Sequence, residues 1–236
     1  MPRFPATRHS MVAAMRSDRT DVRHSAFDAM VRAYWKAVFK YVRLKWRVSP
    51  DHAADLTQAF FLRAFEKDFF AAFDPSRARF RTFLRTCLDR FVANARQADG
   101  RLKRGGAVTI VPIDLPDAER ELQQQARSAV TDFDTFFHRE WLRSLFAEAA
   151  SRLRDACSGR GRPHRFALFE LYDLAEDEDD RPSYAELARR FDLSATDVTN
   201  ELAAARREFR RLVIAALREQ CATDEEFEAE VRALSG

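Results

Sequence analysis

Apolar residues recur at helical spacing over most of the chain, and the breaks between these runs carry helix-start signals. Over 21–47 the positions Phe27, Met30, Val31, Tyr34, Trp35, Val38, Tyr41, Val42 and Leu44 fall on one side of a long amphipathic helix. Ser49-Pro50 then supplies a cap and a first-turn proline, and the helix it starts runs to about 69, with Leu56, Phe60, Phe61 and Phe65 on one side. Asp74-Pro75 repeats the signal, and the pattern Phe80, Phe83, Leu84, Leu88, Phe91, Val92 predicts a third helix over 77–98. These helices can share one core. A weaker pattern suggests a short helix near 10–16. Gly100 and Gly105-Gly106 close the unit.

The stretch 107–132 reads as a linker, extended in character at its start, with 117–127 either a brief helix or solvated coil. Helical patterns resume over 135–157 and 164–175, followed by the acidic run 176–180. Two start signals then come close together. Ser183 stands three residues before Glu186, and Ser194 three residues before Asp197. A hydroxyl at the cap accepts an orphan backbone N–H, and an acid in the first turn suits the helix dipole. Two capped helices joined at Asp192-Leu193 read as a helix-turn-helix, the arrangement that seats its second helix in the DNA major groove. That second helix continues to about 219, with Leu193, Val198, Leu202, Ala205 and Phe209 facing the core, and a small helix follows 223.

The chain of 236 residues is 46% hydrophobic and 33% charged, so it can build one or two cores. Only 6 Gly and 8 Pro, with little strand-like alternation, favour an all-α fold. The net charge is only +3, which by itself predicts no nucleic-acid partner. The charge is segregated, however: basic residues crowd at 77–104 and 206–218, acids at 176–180 and 224–230. Cys87, Cys157 and Cys221 are widely spaced and fit small buried hydrophobes in a reducing compartment. No ligand pair spaced for a metal occurs, so no metal and no cofactor are expected. The N-terminus has no apolar secretion segment and no run approaches the length of a membrane span, which makes a cytoplasmic protein without membrane contact the expectation.

Two small helical domains on a flexible linker, the second carrying this paired-helix motif, resemble the extracytoplasmic-function sigma factors of bacterial RNA polymerase. The first domain resembles sigma region two through Asp55-Leu56-x-Gln58-x-x-Phe61, Phe80-Arg-Thr-Phe-Leu84, Asn94 and Lys103-Arg104-Gly105-Gly106. The second resembles sigma region four through Tyr184-x-Glu186-Leu187-Ala188 and Leu193-Ser194-x-x-x-Val198-x-x-x-Leu202-x-x-Ala205-Arg206. The resemblance covers 21–106 and 135–219 and implies domains at 1–106 and 134–236 with a linker at 107–133. It implies a dissociable, non-catalytic specificity subunit whose partners are core RNA polymerase and promoter DNA. Its first domain would dock on the polymerase clamp and open the −10 element, and its second would read the −35 element.

On that reading Thr196, Thr199, Asn200 and Ala203 face the −35 bases, since Asn pairs with adenine and Thr or Ala meets a thymine methyl. Arg206, Arg207 and Arg210 anchor phosphates, with a base contact open to Arg206. Asp197 and Glu201 would repel phosphate unless they cap or point at a base amino group. Separated −10 strands need cations and π-faces. Arg77, Arg79, Phe80, Arg81, Arg85, Asn94, Arg101, Lys103 and Arg104 are the candidates, with the loop 70–79 capturing a flipped base.

Asp51, Asp55 and Gln58 are the candidate polymerase contacts. The family's acidic cluster is depleted here, as the segment reads His52-Ala53-Ala54-Asp55-Leu56-Thr57-Gln58. Fewer acids weaken a charge-matched docking face. Thr57 is therefore a candidate phosphorylation site for a kinase that restores the charge, which resembles sigma subgroups that depend on a Ser/Thr kinase; a Ser/Thr kinase or an anti-sigma factor is the expected regulatory partner. No catalytic constellation is present, so the protein is not expected to be an enzyme. Two other readings stay open: a stand-alone helix-turn-helix regulator, and a helical adaptor for protein partners.

Overall fold

The computed structural model describes residues 11–98, 115–125, 132–175 and 181–235, and among these residues it is helical, with no strand. The helices are α1 (Met11–Ala14), α2 (Thr20–Lys45), α3 (Pro50–Glu66), α4 (Phe80–Ala98), α5 (Leu115–Gln125), α6 (Phe133–Gly159), α7 (Pro163–Asp173), α8 (Tyr184–Phe191), α9 (Ala195–Gln220) and α10 (Asp224–Ser235), with a 3-10 turn at Phe69–Ala72. No helix among the described residues is long and apolar enough to cross a membrane. The Ser49-Pro50 signal works as anticipated: Ser49 Oγ accepts the His52 N–H, and Pro50 fills the first helical position. α3 ends at Glu66, earlier than the expected 69, because Asp68 turns into the left-handed region at φ 49° and the next residues tighten into the 3-10 turn.

The chain divides into two compact units. The first comprises Met1–Ser144 together with Leu217–Gly236, and the second Leu145–Ala216. The division expected from sequence, at 106 and 134, is drawn differently. The opening turns of α6, the last turn of α9 and the whole of α10 belong with α2, α3 and α4; Phe136, Phe137 and Trp141 of α6, Cys221 after α9 and Glu230 of α10 are buried there. Trp141 Nε1 also donates to Gln220 Oε1 at 2.6 Å, tying the start of α6 to the end of α9 inside this unit.

The core of the first unit is aromatic. Tyr34, Phe60, Phe61, Phe80 and Phe137 are fully buried, and Phe80 meets Tyr34, Phe70 and Phe73 edge-on. Such ring contacts add about 0.5–1.5 kcal/mol each beyond the area they bury. An ionic network lies beside these rings. Lys40, with a side chain 1% exposed, bonds Glu140 at 2.7 Å and also meets Glu121. Lys36 bonds Asp117 and Glu121, and Arg43 bonds Glu119. Residues 115–125, a brief helix or coil by sequence, are therefore helix α5, held on α2 by three acids at spacing two.

The second unit is built by α7, α8 and α9 with the later turns of α6. Leu168, Leu187, Val198 and Leu202 form its buried cluster, and Leu171, Tyr172, Tyr184, Phe191 and Leu193 close around it. Phe209 meets Phe169 at 5.0 Å further along α9.

Candidate nucleic-acid interface

α8 and α9 are joined by residues 192–194, and both start on a hydroxyl-acid pair. Ser183 Oγ accepts the Glu186 N–H while Glu186 Oε2 accepts the Ser183 N–H at 2.7 Å. Ser194 Oγ accepts the Asp197 N–H at 3.0 Å and Asp197 Oδ2 accepts the Ser194 N–H. Asp192 makes the turn possible by adopting φ 53°, a conformation that Asp tolerates better than most residues.

This start sets the phase of α9. Val198, Leu202 and Ala205 go inward, and Thr196, Thr199, Asn200, Ala203, Arg207 and Arg210 fall on a second stripe. Five of these six are exposed, Ala203 being half-buried. Among the described residues neither Arg207 nor Arg210 has a carboxylate in ion-pair reach. Three acids of the same helix that stand near this stripe, Asp197, Glu201 and Glu208, are engaged elsewhere. Asp197 is spent in the cap. Glu201 accepts from Arg165 and lies 3.5 Å from Arg162, and the Arg165 bond holds its carboxyl below the ordinary value. Glu208 is paired with Arg211 and Arg160, the Arg211 bond lowering its carboxyl likewise. α9 thus presents hydroxyls, an amide and two cations on a stripe whose neighbouring acids Asp197, Glu201 and Glu208 are each held by another group.

Arg206 departs from the expectation. Its Nε bonds both carboxylate oxygens of Asp173 at 3.0 Å and its guanidinium lies over the Tyr172 ring. The Asp173 bond raises its already high pKa. It braces α9 against α7 instead of facing outward with Arg207, because it sits one position round the helix, beside buried Ala205.

In the first unit the expected −10 residues separate into three groups. Phe80 is a buried core ring and offers no stacking face. Arg81 and Arg85 are mostly covered: Arg81 pairs with Glu230 and lies over Trp141, and Arg85 pairs with Asp89 and Asp134. Arg79 meets Glu230 at 3.1 Å. Arg77 is 85% exposed and, among the described residues, pairs only with Asp74, and Asn94 is exposed on α4. Arg101, Lys103 and Arg104 lie outside the described residues.

The structure adds a groove that the sequence reading did not find. It encloses about 760 Å³ between the end of α3, the 3-10 turn and the outer face of α4. Phe69, Phe83 and Phe91 supply its aromatic wall, Arg63, Lys67 and Arg90 its cations, and Asn94 an amide at one end. These three cations are exposed and, among the described residues, unpaired, while Glu66 and Asp68 stand at the same groove. Cys87 lines it as a neutral thiol whose pKa burial pushes up. Arg63 and Lys67 are one helical turn apart at the C-terminal end of α3, both exposed, and that spacing is the signal that could have marked them. The loop 70–79 is anchored by buried Phe70 and Phe73, so its apolar residues hold it in place and the groove forms behind it.

On α3, Asp51 and Asp55 are exposed and Gln58 half-buried. Thr57 is not beside them on the surface. It is 0% exposed and its hydroxyl donates to the Ala53 carbonyl at 2.7 Å. The reason is helical phase: Ala53, Thr57, Phe60, Phe61 and Ala64 share the core face of α3. A kinase cannot reach this hydroxyl without opening the helix, and the expected surface site is withdrawn.

No protein-family model, no curated protein and no solved structure matches this chain.

Proposed function

We propose that this protein is an RNA polymerase specificity subunit of the extracytoplasmic-function sigma type, binding promoter DNA with α9 and with the groove between α3 and α4. The observation that carries the reading is the outward stripe of α9. Thr196, Thr199, Asn200 and Ala203 stand at the start of the helix, Arg207 and Arg210 follow one turn apart, and no free carboxylate shares the face. This is the division of labour of a groove-reading helix, in which short polar side chains meet base edges and arginines hold phosphate.

The first unit supports the same reading. Three rings, three cations and an amide around one groove suit an unstacked base and its backbone, since stacking and phosphate neutralisation together drive single-strand binding. A stand-alone regulator needs no such groove. Asp51 and Asp55, both exposed at the start of α3, are the contacts for a basic face on core polymerase. In this reading Arg206 positions α9, while Arg81 and Arg85 hold the first unit together.

The test is transcription. The purified chain, added to core polymerase, should direct run-off products from a subset of genomic fragments, and Asn200→Ala with Arg210→Ala should abolish them while leaving the fold intact. Failure of the chain to associate with core polymerase would refute the reading. A dimer that binds a palindromic duplex without polymerase would identify a stand-alone regulator instead.

A further inference from the structure

The first unit contains an acidic helix laid on basic groups. α10 carries Asp224, Glu225, Glu226, Glu228 and Glu230 within its 12 residues. Its outer acids face solvent, but two are turned onto α4. Glu226 Oε1 accepts the backbone N–H of Phe80, at the first turn of α4, at 2.9 Å. Glu230 is buried and meets both Arg79 and Arg81. Asp134, at the start of α6, meets Arg85 a turn further along α4. A helix N-terminus with guanidinium groups beside it is an arrangement that binds oxyanions. Here it is filled by carboxylates from the chain's own C-terminal end. The groove cations, Arg90 on the other side of α4 and Arg63 and Lys67 at the end of α3, are unpaired among the described residues.

We propose that α10 is an internal competitor for nucleic acid: Glu226 and Glu230 occupy the anion site at the start of α4, and a single strand that continues out of the groove displaces them. This rests on the single-strand reading of the groove given above. The described conformation is then the closed one. A strand binding at Arg63, Lys67 and Arg90 brings further phosphates toward Arg77 and Arg79, and those phosphates exchange with the α10 carboxylates. Ions trade for ions, so the exchange costs little charge. It removes α10 from its seat and leaves the aromatic core of α2, α3 and α4 in place.

The test uses the full chain and a labelled single-stranded DNA of roughly a dozen nucleotides, a length that spans the binding sites of small single-strand modules. Glu226→Gln keeps one carbonyl oxygen for the Phe80 N–H, gives up the bond from the Ala222 N–H and removes the charge. It should bind the oligonucleotide roughly three- to tenfold more tightly than wild type, because the competent form is more populated. Glu225→Gln removes the same charge from the exposed side of α10 and should leave affinity within about twofold of wild type. Glu230→Gln should exceed Glu226→Gln if it folds. Should it not fold, hydrogen exchange on wild type decides: saturating oligonucleotide should speed exchange at amides 224–235 while those of α3 stay protected. Equal affinity of wild type and Glu226→Gln, with α10 protection unchanged by oligonucleotide, overturns the proposal. If in that case Lys67→Ala and Arg90→Ala still weaken binding, the groove reading survives and only the competitor is wrong. If wild type and Glu226→Gln both ignore single strands at low salt, the groove reading and the competitor fall together.

Discussion

Arg81 and Arg207 look alike in the sequence. Each sits on an amphipathic helix among other arginines, and each invites the same assignment as a phosphate anchor. In the folded chain they do opposite work. Arg81 lies over Trp141 and meets a buried carboxylate. Arg207 is exposed and, among the described residues, meets none. Around its core the first unit draws charges inward, with Lys36, Lys40, Arg43, Arg81 and Arg85 all engaged by acids, while Arg63, Lys67 and Arg90 stay exposed at the groove. The second engages the acids that would spoil its outer face: Glu201 and Glu208 are paired with Arg160 and Arg162 between α6 and α7, with Arg165 of α7 or with Arg211 of α9 itself. An arginine's availability is thus decided by where the acids go.

The comparison can be broken most forcefully at Lys40. Lys40→Met strips Glu140, itself 2% exposed, of its closest cation. Glu140 keeps Arg143 at 2.8 Å, so the cost should lie toward the lower end of the about 3–5 kcal/mol typical of removing one partner of a buried pair. The variant should lose about that much in urea unfolding followed by circular dichroism, and Lys40→Met with Glu140→Leu should recover most of it. If the single variant loses under about 1 kcal/mol, the network is wetter than its geometry indicates and the first unit does not depend on inward charge.

The next contrast sets the two arginines against each other directly. Arg81→Ala should lower thermal stability, since it leaves Glu230 buried with only Arg79. Arg207→Ala should leave stability within about 0.5 kcal/mol. On duplex promoter DNA the order reverses. Arg207→Ala should weaken binding and flatten the dependence of log affinity on log salt by about one unit, as one phosphate contact is lost. If Arg81→Ala changes the salt slope as much as Arg207→Ala does, the division between bracing and binding arginines fails.

Periodicity made the all-helical fold legible, and the start signals at Ser49-Pro50, Ser183 and Ser194 located three helix ends because caps are local chemistry. Asn200, Thr196, Thr199, Arg207 and Arg210 were readable as an outward stripe once Val198 and Leu202 were known to face inward. Partners distant in sequence were not legible. Nothing near Arg81 announces Glu230, 149 residues on, and nothing near Arg206 announces Asp173. Thr57 was misjudged for a different reason: its neighbour Asp55 is on the surface, but Ala53 and Phe61, each four residues away, place it in the core. Lys40 did carry a signal, since a lysine flanked by Val38, Phe39, Tyr41 and Val42 must bury its stem and find an acid.

A smaller test concerns the cap that sets the phase of α9. Ser194→Ala removes the acceptor for the Asp197 N–H and should cost about 1 kcal/mol. It also frees the Asp197 carboxylate from the Ser194 hydroxyl at the end of the helix assigned to base contacts. Duplex affinity should therefore fall further than the stability loss alone requires, whereas Ser183→Ala, at the start of α8, should cost similar stability with less effect on DNA.

The smallest expected effect is one of pH. Glu201 has an ordinary carboxyl value of 4.5, and in the folded second unit the Arg165 bond holds it lower. The unfolded chain returns it to the ordinary value. Protons then favour the unfolded state as the pH falls, so the stabilisation is complete above about 4.5, and it fades as the pH drops through that value toward the folded one. A pair this close to the surface contributes about 1 kcal/mol or less. Wild type should therefore lose slightly more stability than Glu201→Gln between pH 6 and pH 3, values that bracket the ordinary carboxyl range. The two curves should converge at the acid end. Parallel curves would mean that Glu201 is not held by Arg165 and that its free carboxylate stands beside the outer face of α9.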